Sequence, residues 1–477
     1  MSKTKDKVTV DFVGMNAEDI TGSSQIISYK SKKVILDFGM YQCTNKLKMY
    51  QVNSRNLDFS AKSITEIIVS HALHLDHYSL IPRLFKLGCT AKVYVPKNTI
   101  KFWKILFEDN LKIINKDVEY LSKREGKSFE PLYEQEDIDN MMANVVECEF
   151  DEKIPLNEYM YFRYSDNYHI LHSAQIELFV RDGNLRKKIF YSGDVGNISL
   201  KDKPFVKKLN RIKNCDLAIV ESTYAMNKKR ADLKVRKKDR EKLQTAIEEV
   251  CFGKDTGEVI IASFAMQRTQ ELLVELYQLY GEDKDFKIPI IIDSPLACKI
   301  TNMFKDVLEG EDKELITKAM NWSNVQMVSD WEDSEMVLLD HSPKILITCS
   351  GFAEAGRIRN YLKKNLPNPN SMIVFGGYSS EDSLSGIIKS GRLKYVNIDG
   401  DKVKNKAKAM NLLSFTSHIQ HKDMLGYYSS INCPNMILVH GDMTKRSLFA
   451  ELLEEKFKSK CKTTKVWVVT KGTEFEV

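Results

Sequence analysis

Three histidines and an aspartate crowd into seven residues of IIVSHALHLDH, residues 67–77, directly behind an apolar run. Imidazole nitrogen and carboxylate oxygen suit zinc and similar borderline metals. Short clusters of this kind at a strand end can hold two ions about 3.5–4 Å apart, an arrangement used for phosphodiester and other hydrolyses. Two ions need roughly seven or eight ligands, so His71, His74, Asp76 and His77 cannot suffice alone. Distant parts of the chain must be folded onto this strand end. The other six of nine histidines are 169, 172, 341, 418, 421 and 440. Three outlying stretches have the right form. YHILHSAQIEL places His169 just before a strand, FYSGDVGN ends a strand in Asp194, and ILVHGD ends one in His440. A lone histidine at a strand end is more often structural; several in one chain, added to the cluster, point to a metal site.

The remainder of the sequence bounds the setting. With 477 residues, 43% hydrophobic and 29% charged, the chain has the composition of a soluble globular protein of more than one domain. No stretch approaches the roughly 20 apolar residues of a membrane span. No signal peptide is visible, so a cytoplasmic protein without a membrane partner is expected. Nine cysteines without a CxxC pair favour reduced, mostly buried thiols over disulfides or a cysteine-type zinc site. The net charge is +6, and residues 228–242, KKRADLKVRKKDREK, hold nine basic and three acidic residues. This run reads either as a solvated helix face or as a surface that tracks phosphates and weakens with salt.

Short strands are expected at VTVDFVGM, SQIISY, KKVILDFG, IIVSH and AKVYVP, with a helix at SLIPRLFKLG ended by Gly88 and a helix-rich stretch over 98–146. YMYFRYSD, AQIELFV, KKIFYSGD and LAIVEST read as strands in close succession. From about residue 226 the rhythm changes. The helix RTQELLVELYQLYG and the strands IPIIIDS, PKILITCSG and NSMIVFGG alternate as in a parallel α/β sheet. After about 409 the clearest strand is NMILVHGD. A change of rhythm without a linker suggests an inserted domain.

In their order, SHALHLDH, HILHSAQIEL, YSGDVGN, VESTY, SFTSH and LVHGD resemble the β-CASP branch of the metallo-β-lactamase fold, which includes RNase J and the cleavage endonuclease of the polyadenylation machinery. EDITGSSQIISYKSKKVILDFGMYQ, EPLYEQEDI, FAMQRTQELL, IDSPLA, SGFAEAGRI and FGGYSSEDSLSG extend the resemblance over nearly the whole chain. It implies an α/β protein: a metallo-β-lactamase αββα sandwich (1–225 and 409–477) with an inserted α/β β-CASP cap (226–408), and substrate between them. It also implies a zinc-dependent ribonuclease, endonucleolytic or 5′-exonucleolytic, acting on single-stranded RNA with two zinc ions, and it admits a homodimer. His71, His74 and His169 would hold one zinc; Asp76, His77 and His440 the other; Asp194 would bridge. Asp37 would orient a ligand histidine from behind. Asp76, His418 and Glu221 would be the catalytic side chains, with His418 facing the scissile phosphate and Glu221 orienting it. Such a histidine suits proton transfer to a leaving oxygen near neutral pH. Ser350, Gly351, Gly356 and Arg357 of SGFAEAGRI could hold a phosphate on backbone N–H groups and a guanidinium; on the glycines alone, a plain strand-to-helix turn is the preferred reading.

Four departures from the family pattern bear on activity. The family spacing H-x-H-x-D-H is lengthened by one residue between His71 and His74. Residues i and i+2 share a strand face, whereas i and i+3 do not. Either a bulge absorbs the extra residue or one zinc loses a ligand; the bulge is the expectation. His172 stands where glycine is usual. STYAMNKKR lacks a usual glycine and a later histidine, and SFTSHIQHKDM lacks a usual aspartate. The alternative reading is therefore a catalytically weakened homologue that binds RNA or serves in assembly.

Overall fold

The computed structural model describes residues 6–228, 231–253, 256–376 and 383–477. The chain divides into two compact units. The first comprises Met1–Ile198, Val206–Lys229 and Ser417–Val477; the second comprises Ser199–Phe205 and Arg230–Thr416. Among the described residues no helix is long and apolar enough to cross a membrane, and the nine cysteines are all free.

The first unit is built on two seven-stranded sheets. In one, Thr9–Phe12, Gln25–Tyr29 and Lys32–Leu36 run antiparallel, and Glu66–Ile68, Lys92–Pro96 and Val145–Cys148 continue it in parallel. The other runs from Ile154–Pro155 through Met160–Asp166, Ala174–Asp182, Leu185–Tyr191, Leu217–Glu221 and Asn435–Val439 to Lys465–Val468. Period-two alternation assigns the faces. Val10, Phe12, Val34 and Leu36 of one sheet share a core with Leu178, Ile189, Leu217 and Ile219 of the other. The intervening Phe190, Ala218 and Val220 belong to a separate core with Met424 and Tyr428 of the helix His421–Tyr428 and Phe449 and Leu453 of the helix Met443–Ser459. Leu217–Val220 is therefore apolar throughout because the strand is covered on both faces, with Glu221 at its end. The 27-residue helix Thr99–Glu125 buries Phe102, Trp103, Leu106, Phe107, Ile114 and Leu121, a stripe at helical spacing.

The second unit has a six-stranded parallel sheet, from the edge strand Val325–Val328 through Ile290–Asp293, Lys344–Thr348, Glu258–Ala262 and Met372–Gly376 to Lys408–Leu412. Three of these strands, Glu258–Ala262, Val325–Val328 and Lys408–Leu412, were not named among those expected from the sequence. The segment Ser199–Phe205 groups here because the Phe205 ring packs on Phe304, centroids 5.2 Å apart, and the Phe205 N–H donates to Asp312.

Backbone contacts fix the loops at the strand ends of the first unit. The turn 75–77 is laced to 38–40: Phe38 N–H donates to the His77 carbonyl and Met40 N–H to that of Leu75. Only glycine fits between these hydrogen bonds, because a Cβ on Gly39 would lie 1.8 Å from the Asp76 carbonyl carbon. Gly39→Ala is expected to cost at least about 1–3 kcal/mol, the range for forcing atoms into a packed site. Urea unfolding reads this as a lower midpoint at unchanged slope; a midpoint equal to that of the parent chain would contradict the account.

Candidate metal centre

Every residue of the centre sits just past, or at, the end of a strand. His71, His74, Asp76 and His77 follow Glu66–Ile68; His169 lies between Met160–Asp166 and Ala174–Asp182; Asp194 follows Leu185–Tyr191; His440 follows Asn435–Val439. The fold gathers them into two groups. His71, His74, His169 and Asp194 form one, and Asp76, His77 and His440 the other; within each group the donor atoms lie within 4.8 Å of one another. Asp194 faces both: its Oδ1 is 3.3 Å from His77 Nε2 and 3.4 Å from His440 Nε2, and its Oδ2 is 3.8 Å from His169 Nε2.

His71 reaches this cluster despite the extra residue. Val69 and Ser70 leave the strand, Ala72 and Leu73 turn, and His74 begins the short helix Leu75–Tyr78. The insertion is taken up in a turn beyond the strand pairing rather than as a bulge in the ladder. His71 Nε2 lies 2.9 Å from His74 Nδ1, and the His71 ring is fully buried.

A second layer orients the donors. Asp37, at φ +57°, accepts on Oδ2 from His77 Nδ1 (2.8 Å), Ser70 Oγ (2.6 Å) and Tyr191 Oη (2.8 Å), and on Oδ1 from the Ser70 N–H (2.7 Å). His440 Nδ1 pairs with Thr223 Oγ1 at 2.9 Å. Sequence reasoning named Asp37 but missed Ser70, Tyr191 and Thr223, although each adjoins a motif residue. His418 Nδ1 lies 3.2 Å from Glu221 Oε1, and its ring is 4.5 Å from that of His169. Glu221 is buried and also accepts from the N–H groups of Val195 and Thr223. His172, in a left-handed conformation, belongs to neither donor group.

The electrostatics suit cations. Burial, with help from neighbouring imidazoles, holds His71 and His169 well below the usual histidine range and brings His74 down to about 4. Their lone pairs are free of protons, as ligation requires. His77 behaves oppositely: burial opposes its charge, but Asp194, Asp76 and Asp37 outweigh burial and raise it. His440 is raised in the same way by Asp194 and Asp76. Asp194, in turn, is held low against the effect of burial by His440 and His77. Buried carboxylates demand positive charge nearby, and the raised proton affinity of His77 and His440 expresses that demand. His71 Nδ1, His77 Nε2 and Asp194 Oδ1 are buried without a hydrogen-bond partner among the described residues. Donor set, burial and unmet hydrogen-bonding capacity all fit divalent metal.

The expected phosphate cradle has a different role for its guanidinium. Arg357 is ion-paired to Asp293 and donates through Nη2 to the Ser329 carbonyl at 2.7 Å, so a phosphate there would compete with a buried carboxylate. Gly356, at φ +83°, shapes the turn. The basic run is likewise divided. In the helix Leu233–Cys251, Arg236 and Arg240 both pair with the buried Glu275, while Lys237 and Lys238 are exposed. Residues 229 and 230 of the run lie outside the described residues.

Comparison with known proteins agrees with this geometry. Residues 269–388 match the Beta-Casp domain, and residues 402–464 match the Zn-dependent metallo-hydrolase RNA specificity domain. A ribonuclease of Thermus thermophilus is 27% identical over 443 residues, 92% of this chain and 94% of its own length. An RNase J-like protein of Methanocaldococcus jannaschii is 27% identical over 88% of this chain and 89% of its own. An endoribonuclease of Eremothecium gossypii is 23% identical over 98% of this chain, which spans only 58% of that relative. A crystal structure of an Enterococcus faecalis protein of unknown function shares the fold, with TM-score 0.55 and 12% identity over 99% of this chain and 100% of that one. The chain carries a Beta-Casp domain and a Zn-dependent metallo-hydrolase domain, is similar over most of its length to ribonucleases, and is a metal-dependent hydrolase.

The carboxylates raise the proton affinity of His77 and His440, so a metal ion entering beside Asp76, His77 and His440 competes with protons there. Metal affinity should therefore rise with pH from about 6 to 8, by up to about tenfold per unit for each proton displaced. Competition titration with a chelator dye at several pH values measures this; affinity independent of pH would contradict the charge assignment.

Proposed function

We propose that the chain is a zinc-dependent ribonuclease that hydrolyses RNA phosphodiester bonds at a centre for two metal ions. The observation that carries this reading is the placement of Asp194, with one oxygen toward His77 and His440 and the other toward His169. A carboxylate placed in this way would be a ligand available to both ions of a site for in-line displacement at phosphorus. The imidazole-rich donor set favours zinc. RNA as the substrate is supported by the relatives named ribonuclease and endoribonuclease and by the matched RNA specificity domain.

Two ions held by these residues would supply Lewis acidity to the phosphate and to the attacking nucleophile. The protein's own residues do the rest. Asp37 fixes the ring of His77 through Nδ1, and Thr223 fixes that of His440, so that the Nε2 atoms are the donors presented. Glu221 holds His418 Nδ1 as its N–H end, which leaves Nε2 to pass a proton to the departing oxygen. Glu221 can orient without moving, since two backbone N–H groups already bind it.

The purified chain should carry close to two zinc ions and lose RNA cleavage on chelation. Undiminished cleavage by a metal-free sample would refute the proposal. Separately, His418→Ala should slow cleavage by roughly 10²–10⁴-fold, the usual span for positioned acid–base help, with zinc content near normal by elemental analysis. Loss of zinc in step with activity would make His418 a ligand instead.

A further inference from the structure

We propose that Trp103 is a positioning residue for the metal centre, its indole N–H holding the lengthened His71–His74 turn in the shape that brings both histidines to one ion. The inference rests on reading this cluster as a metal centre. An extra residue between two ligands leaves an additional carbonyl with no strand to pair it. Here that carbonyl belongs to Ala72, which is 2% exposed. The Trp103 indole nitrogen donates to it at 2.6 Å from the helix Thr99–Glu125. A buried carbonyl without a donor would be driven to seek one by reshaping the turn.

The same indole also holds the other end of the segment. Its face stacks on Tyr78, the residue after His77, with centroids 5.3 Å apart and planes at 25°. Phe107 closes the packing edge-on to both rings, at 5.3 Å from Trp103 and 5.2 Å from Tyr78. Trp103 and Tyr78 are both fully buried. One side chain therefore touches the chain on both sides of His74, Asp76 and His77 without contacting an ion. Leu73, the second of the two residues between His71 and His74, is buried as well, so the turn is packed rather than looped into solvent.

The test uses the full chain and zinc itself. Trp103→Phe keeps an aromatic ring and removes the donor; Phe107→Leu loosens the same cluster and leaves the donor in place. Zinc affinity by chelator competition and the visible spectrum of the cobalt(II)-loaded protein are measured beside the thermal midpoint. Trp103→Phe should weaken one zinc by roughly 10–100-fold, the range for partners that orient ligands, and alter the cobalt spectrum. Phe107→Leu should lower the midpoint comparably with both metal readouts near the parent's. Parent-like affinity and spectrum in Trp103→Phe, or equal metal loss in Phe107→Leu, overturns the proposal. If Trp103→Phe does not fold, the benzothiophene analogue of tryptophan at position 103, the same shape without the N–H, carries the same comparison. A parent chain that binds no zinc would instead defeat the metal-centre reading on which the inference stands.

Discussion

One buried carboxylate ties the first unit together beneath its functional site. Asp37 receives hydrogen bonds from the Ser70 amide and hydroxyl and from His77 on one sheet's loop, and from Tyr191 on the facing sheet. These bonds join the two layers at the end where the strands release their loops. They also set the ring of His77, and through it the edge of the donor cluster. The positive φ of Asp37 is the kind of backbone strain that persists only where surrounding contacts over-determine it. His440, at φ +54°, repeats the pattern from the other sheet, with its N–H on the Asn16 carbonyl.

The charge pattern follows from the same burial. Asp76 and Asp194 are removed from water together with the imidazoles of His71, His77, His169 and His440, and that of half-buried His74 lies beside them. In low dielectric such a set is costly unless positive charge balances it. The imidazoles divide into two kinds. Burial holds three of them below the usual histidine range, and the neighbouring carboxylates raise the other two above it. That asymmetry is what a preformed cation site looks like in chemical terms, and it links metal loading to proton release.

Much of this was legible in the sequence because strand periodicity and motif order are both local signals. LAIVEST read as a strand, and the positions of His169, Asp194 and His440 at strand ends marked where the chain would converge. The fate of the extra residue was not legible. Spacing alone shows only that His71 and His74 cannot share a strand face; it does not show that the strand has already ended and that a tryptophan some thirty positions on will take up the freed carbonyl. Arg357 was misleading for a related reason. A glycine-rich turn followed by arginine has the same local form whether the guanidinium meets a phosphate or, as here, Asp293 from a neighbouring strand. The basic run hid its partners too, since Glu275 lies on another helix.

The central claim is that the lengthened motif still builds a complete two-metal centre. Anomalous diffraction at the zinc edge from crystals of the zinc-loaded chain tests it most directly. Two peaks are expected, one at about 2.0–2.1 Å from a ring nitrogen of each of His71, His74 and His169 and the other equally close to His77 and His440, with Asp194 between them. A single peak, or two peaks with the His71 ring nitrogens beyond about 4 Å from either, well outside any zinc–nitrogen bond, would contradict the account.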